Sequence, residues 1–268
     1  MSPSPASAAA LAFDAIAPDF DTRFGGWRSV EAQRAAVRLR LLGAFPPGAR
    51  LIEAGGGTGE DALWLANQGR DVLMTDASPA MVAAASGKSG GTFRTQVAAA
   101  EDFGRLADSL AGEPGFDGAY SVFAALNCVT DLRAFAQGLA RLLRPGAPLM
   151  LVLFGTCCPA EVVVELLRGS PGNALRRFSR GDVPARLGGK QFTVRYHRGR
   201  ALQRMLGPWF HLQSRRGIGV FVPPSAAEPW ISAHPRLLIK LQALDRLVER
   251  PLALLGDHIL YQFVRTAA

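Results

Sequence analysis

Two apolar rhythms alternate along this chain. Between positions 29 and 45, Val30, Ala36, Val37, Leu41 and Leu42 recur at helical spacing while Arg34, Arg38 and Arg40 take the polar positions, which predicts an amphipathic helix ended by Pro46, Pro47 and Gly48. A short apolar run over 51–54 then predicts a strand, followed by a glycine turn and a helix through Ala62, Leu65 and Ala66 that stops at Gly69. The alternation continues with a strand over 71–75, a helix over 79–85, strands over 93–98 and 116–122, a helix over 132–143 closed by Pro145 and Gly146, and a wholly apolar strand over 148–154.

Strands that alternate with helices predict a parallel, doubly wound α/β sheet whose strand C-termini share one ligand-binding edge. After Phe154 the rhythm breaks. A helix is expected over 159–168, a Gly- and Arg-rich stretch of little periodicity over 170–190, a strand over 192–197 and a short helix over 201–206. Further on come a strand-like run over 210–221, an amphipathic helix over 235–249 carrying Leu237, Leu238, Leu241, Leu244 and Leu247, and a last strand over 257–265.

The 268 residues suffice for one large α/β domain with additions. The net charge of +8 is carried by residues 155–268, since the first 154 residues hold slightly more acids than bases. Such a basic half fits nucleic acid, an anionic membrane surface, an acidic substrate or an acidic carrier protein, or it reflects plain Arg usage. Three cysteines, Cys128, Cys157 and Cys158, make neither a disulfide framework nor a zinc pattern; no metal is expected, and a reducing, cytoplasmic setting fits. No apolar run approaches the roughly 20 residues of a membrane span, and the Ser/Pro/Ala-rich start has no cationic region of the kind that opens a signal peptide.

Candidate chemistry concentrates at Leu51–Asp61, where a strand runs into Gly55, Gly56, Gly57 and Gly59 before a helix. Glycine there lets a ligand approach the backbone, and the helix start offers free amides. The stretch Gly57 to Ala62 also satisfies the dinucleotide pattern with alanine last, and Asp76, at the end of the second strand, would hold ribose hydroxyls in either case. Three features separate the readings: Glu53 ahead of the turn suits a cationic amino group rather than a pyrophosphate, Ala100-Glu101-Asp102-Phe103 follows the third strand, and Arg141 to Gly146 precedes an apolar strand.

With Glu53 to Gly59, Thr75 to Met81, Ala100 to Phe103, Phe116 to Asn127 and Leu142 to Gly146 in this order, the chain resembles the class I S-adenosylmethionine-dependent methyltransferases, and is similar to the quinone-biosynthesis C-methyltransferases and the biotin-pathway carrier-protein methyltransferases. The resemblance implies a Rossmann-like, seven-stranded, mostly parallel sheet with helices on both faces, the last strand antiparallel, and helical or irregular cap insertions in the C-terminal half. It divides the chain into an N-terminal helical lid (1–45), a cofactor core (46–155), a cap insertion (156–200) and the end of the sheet with a helical insertion (201–268), all in one structural domain. It implies S-adenosylmethionine as cofactor and S-adenosylhomocysteine as product. Gly55 and Gly57 would approach the methionine part and Glu53 its ammonium. Asp76 would accept from the ribose hydroxyls, Ala77 and Met81 would pack on the adenine, Ala100 and Glu101 would meet its edge, and Phe123 would flank the sulfonium. The aromatic entry segment, with Phe13, Phe20, Phe24 and Trp27, resembles the lid of these enzymes.

The expected reaction is methyl transfer to a small-molecule acceptor, anionic or carrier-bound, with oligomeric state open. Asn127, at the catalytic edge, is the candidate for orienting the acceptor; His197, His211, His234, His258, Tyr196 and Tyr261 are the candidate bases. Arg176 and Arg177, in the basic run Arg168 to Arg216 that includes Arg180, are the candidates for binding an anionic acceptor. Two alternatives stand beside this. An RNA or other nucleic-acid methyltransferase would suit the charge, but the chain has no Asn-Pro-Pro-aromatic motif and no RNA-binding module. An NAD-dependent oxidoreductase would use the same glycine turn.

Overall fold

The computed structural model describes residues 6–179 and 181–267; Arg180 of the basic run lies outside them, as does the side chain of Phe24. In chain order the elements are helices α1 (Ala8–Asp14), α2 (Phe20–Phe24) and α3 (Arg28–Ala44), then β1 (Arg50–Ala54), α4 (Glu60–Asn67), β2 (Asp71–Asp76), α5 (Pro79–Ser89), β3 (Arg94–Val97), α6 (Phe103–Ser109), β4 (Gly118–Ser121), α7 (Leu132–Leu142) and β5 (Pro148–Phe154). The C-terminal part continues with α8 (Pro159–Leu167), α9 (Pro171–Leu175), β6 (Asp182–Leu187), β7 (Lys190–Arg195), α10 (Gly199–Leu206), β8 (Phe210–Ile218), α11 (Pro235–Val248) and β9 (His258–Arg265).

Seven strands form one sheet in the order β3-β2-β1-β4-β5-β9-β8. β1 through β5 pair in parallel, and β9 runs antiparallel to both β5 and β8. This is the Rossmann-like arrangement expected from the motifs. Period-two alternation divides the central strands between two cores. Leu51, Val72, Met74, Met150 and Val152 face a cluster with Val37 and Leu41 of α3 and Leu65 of α4. Ile52, Leu73, Leu149, Leu151 and Leu153 face the opposite cluster, with Phe103 of α6, Phe135 and Leu139 of α7 and Leu202 of α10.

Local signals fix the helix starts. Ser78 caps α5 by accepting from the Met81 amide at 3.1 Å, with Pro79 at the first position. The Asp131 carboxylate accepts from the amides of Arg133 and Ala134 and opens α7. The stretch 170–190, expected to be irregular, contains α9 and β6 instead. β6 pairs antiparallel with β7 in a separate two-stranded sheet. Val183, Ala185 and Leu187 do alternate with Asp182, Pro184 and Arg186, but a proline inside so short a run and the glycines on either side of it argue against a strand, and the hairpin is held largely by packing against α1. No helix among the described residues is long and apolar enough to cross a membrane.

Candidate active site

The segments that leave the C-terminal ends of β1, β2, β3 and β4 wall a cavity of about 610 Å³, closed on its other side by α1, α2 and the start of α3. Gly55, Gly57, Asp76, Ala77, Met81, Ala100, Glu101 and Phe123 all lie on its wall. Eight positions selected from separate stretches of sequence are thus brought together.

The glycine turn is built for close approach. Gly55 has φ +73°, and a Cβ there would sit 2.3 Å from the Ala125 Cβ. Gly57 has φ +57° with no protein atom within 4 Å of its would-be Cβ, so that direction is left open to a ligand. The Gly57 amide donates to the Asp76 carboxylate at 2.9 Å, and the other Asp76 oxygen accepts from the Ser78 amide at 2.9 Å. Burial raises the Asp76 pKa from the ordinary carboxylate value, and these amides pull the other way.

Past β4 the backbone is strained: Phe123 and Ala124 have φ of 53° and 66°. Left-handed backbone in consecutive non-glycine residues is costly and persists where the surroundings over-determine it, often at functional sites. It turns Phe123 onto the cavity wall, where the Arg34 guanidinium lies 4.7 Å from the ring centroid.

The lid is tied down by two acids. Asp14 accepts from the Ser78 hydroxyl at 2.5 Å and the Ala80 amide at 3.1 Å. Asp21 pairs with Lys88 at 2.6 Å and accepts from the Thr58 hydroxyl at 2.6 Å. Phe13 contacts Phe20 and, on the hairpin, Phe192 at ring-centroid distances of 6.4 and 6.0 Å.

Other candidates sit elsewhere. Glu53 is fully buried, neither carboxylate oxygen has a hydrogen-bond partner, and the group lies behind the turn, against Gly56. The expectation placed it near a ligand ammonium; it stands behind the glycines and off the cavity wall that such a group would touch. Desolvation raises its pKa well above the usual value, reinforced by Asp61. Asn127 is off the cavity wall as well. Its amide nitrogen donates to the Arg195 carbonyl at 2.6 Å and its oxygen accepts from the Phe154 amide at 3.0 Å, so it ties the hairpin to the end of β5. Arg177 is buried between Glu161 and Asp257, and Arg176 pairs with Glu161 at 3.0 Å. The Arg177 charge is spent inside the protein and that of Arg176, which stays exposed, is shared with Glu161, contrary to the expectation of free anion-binding groups. Both border a smaller cavity of about 140 Å³ that shares Val30 and Phe123 with the main one.

None of the six His and Tyr candidate bases lines the main cavity. His197 is buried, and desolvation lowers its pKa to about 4. The groups that sequence reasoning missed come from α3, which presents Glu31, Arg34 and Arg38 to the cavity. Arg34 and Arg38 converge on Asp61, at 2.6 and 2.7 Å. Glu31 has neither an ion pair nor a side-chain hydrogen bond. Arg34 and Arg38 stand among the polar positions of the predicted helix, and the i, i+3 and i+7 spacing of the three is the signal that puts them on one side of it. Cys128 also lines the cavity; burial pushes its thiol up to about 11, which disfavours the thiolate a soft metal needs. No cluster of metal-ligating side chains occurs among the described residues.

Residues 52–149, from β1 into β5, match the methyltransferase domain family. By this domain the protein is a methyltransferase. S-adenosylmethionine is its cofactor, and the open cradle at Gly57 above a carboxylate at the end of β2 fits that molecule's sulfonium amino acid and ribose. Among solved structures the chain is similar to one that describes the conversion of a disulfide bond into a thioacetal group during echinomycin biosynthesis (25% identity, 87% of this chain, 81% of that chain, TM-score 0.52). It is similar in fold to an S-adenosylmethionine-dependent methyltransferase from Mesorhizobium loti (19%, 87% and 98%, TM-score 0.53) and to the [4+2]-cyclase SpnF (15%, 100% and 99%, TM-score 0.62). No curated protein matches the chain in sequence.

Proposed function

We propose that this methyltransferase acts on a small-molecule acceptor with an apolar body. The observation that carries the reading is the lid: Phe13, Phe20, Trp27 and Val30 close an aromatic and aliphatic chamber over the glycine turn, which suits a compact ligand and not a duplex or an open strand. The cofactor supplies an electrophilic methyl group on sulfur. Gly55 and Gly57 admit its methionine part, Asp76 accepts from its ribose hydroxyls, and Ala77 and Met81 pack on its adenine, whose edge meets Ala100 and Glu101. Phe123 flanks the reacting region. The chain contributes alignment and exclusion of water, the two things an in-line displacement most needs.

Glu31 is the group we assign to the acceptor. As a carboxylate without a partner on the wall, it can accept a hydrogen bond or a proton from an acceptor hydroxyl or amine. The neighbouring cations Arg34, Arg38 and Lys88 are each paired with an acid. An anionic or carrier-borne acceptor therefore has less support than an uncharged ring, and of the two motif resemblances the quinone C-methyltransferases suit this chamber better.

The experiment is a screen of phenols, quinols and small carboxylates with labelled cofactor, read by mass gain, together with calorimetric titration of S-adenosylhomocysteine. Methylated product from the ring compounds supports the reading. Product only from RNA, or binding of NAD in place of S-adenosylhomocysteine, ends it.

A further inference from the structure

The basic C-terminal excess does not gather at the cavity, so its purpose lies elsewhere. Helices α8 and α11 are anchored on one small core, in which Val164 of the first and Leu238 and Leu241 of the second meet Val222, Ala227 and Ile231. Their outward sides carry large apolar residues in water: Leu167 is 84% exposed, Leu247 76%, Ile239 64% and Val163 56%. None of these lines either of the two cavities. They stand proud, where a groove for a partner helix would recess them.

Charge on this face has one sign. On α11 and just after it, Arg236, Lys240, Arg246 and Arg250 are exposed and make no ion pair. The acids of the same stretch turn inward: Asp245 accepts from the Phe221 amide, and Glu249 pairs with Arg40 and Arg216. On the other side, Glu161 and Glu165, the sole acids between positions 156 and 179, are buried, while Arg168 is exposed. Protruding aliphatic groups interleaved with cations, with no exposed carboxylate among them, match the headgroup layer of an anionic bilayer. There aliphatic tips enter the acyl boundary and each cation near the surface adds about 1 kcal/mol.

We propose that the outward face of α8 and α11 docks the protein on anionic membrane surfaces. The same cap borders the smaller cavity through Glu161, Ser225 and Ala226, and that cavity shares Val30 and Phe123 with the main one. An apolar acceptor dissolved in the bilayer would reach the chamber from this side, a corollary that rests on the methyl-transfer reading; the docking itself does not.

The test is co-sedimentation of the full chain with phosphatidylcholine vesicles and with vesicles that also contain phosphatidylglycerol. The expected result is binding to the anionic vesicles alone, lost at high salt. Lys240→Ala with Arg246→Ala should weaken it by about tenfold or more, and Leu167→Glu with Leu247→Glu should abolish it, both with unchanged S-adenosylhomocysteine affinity as proof of folding. Absence of binding by the parent chain overturns the proposal, and so does binding that the variants leave intact. It is equally overturned if the two leucine substitutions dissolve a dimer of the parent chain in light scattering, since the face then belongs to a second copy.

Discussion

The Gly57 amide and the Asp76 carboxylate, 2.9 Å apart, join the end of β2 to the glycine turn after β1. The acid assigned to the ribose therefore also fixes the shape of the turn assigned to the methionine part. Asp76→Ala should lower S-adenosylhomocysteine affinity by about 10- to 100-fold, the worth of charge-assisted hydrogen bonds. Asp76→Asn, which keeps an acceptor for the Gly57 amide, should lose less. Calorimetric titration of both variants checks this.

Gly55 and Gly57 should respond differently to alanine. At Gly55 a methyl group would overlap the Ala125 side chain as well as demand a left-handed backbone, so Gly55→Ala should unfold at a clearly lower temperature. At Gly57 the methyl meets no protein atom. Gly57→Ala should cost about 1 kcal/mol of stability from its backbone yet bind S-adenosylhomocysteine far more weakly. Thermal melts with and without ligand separate the two.

Glu53 should make the protein less stable as pH rises. Burial raises its folded pKa well above the unfolded value, so the folded state holds the proton that the unfolded chain gives up. Stability on this account is fully present below the ordinary carboxylate range and declines as pH climbs from that range toward the raised folded value. Glu53→Gln should remove the decline, with a gain over the parent that grows with pH in denaturant titrations.

Arg177→Ala should act on folding and not on acceptor binding. It removes the buried cation between Glu161 and Asp257 and leaves Glu161 only the exposed Arg176, a loss of about 3–5 kcal/mol. Asp257 is held far below the usual carboxylate range by His258 and Arg177 against the burial that raises it. That depressed pKa contributes stability above the ordinary carboxylate range, and the contribution fades on acidification toward the folded value. The variant should show a flatter acid limb of stability, with acceptor KM within a few-fold of the parent.

Glu31→Gln should lower kcat by about 100-fold if the carboxylate takes the acceptor proton, with S-adenosylhomocysteine affinity unchanged. A change in KM alone would mean that Glu31 only binds.

By itself the sequence determined the sheet and its cofactor edge. Strand alternation, the glycines at 55 and 57, the acid at 76 and the stops at Pro145 and Gly146 are local signals, because period, φ and chain ends depend on near neighbours. Tertiary structure alone decided which charges are free. Arg177 reads as a surface cation until Asp257, 80 positions later, comes within 2.6 Å of it. Glu53 reads as a ligand contact until the turn folds over it, and Asn127 as a catalytic amide until Arg195 and Phe154 take both of its ends. Arg34 and Arg38 read as the polar side of a helix until α1 and α2 place a chamber against them. A side chain's type sets what it can do; whether a distant segment has already claimed its charge or hydrogen bonds depends on how the chain packs, and no local pattern carries that.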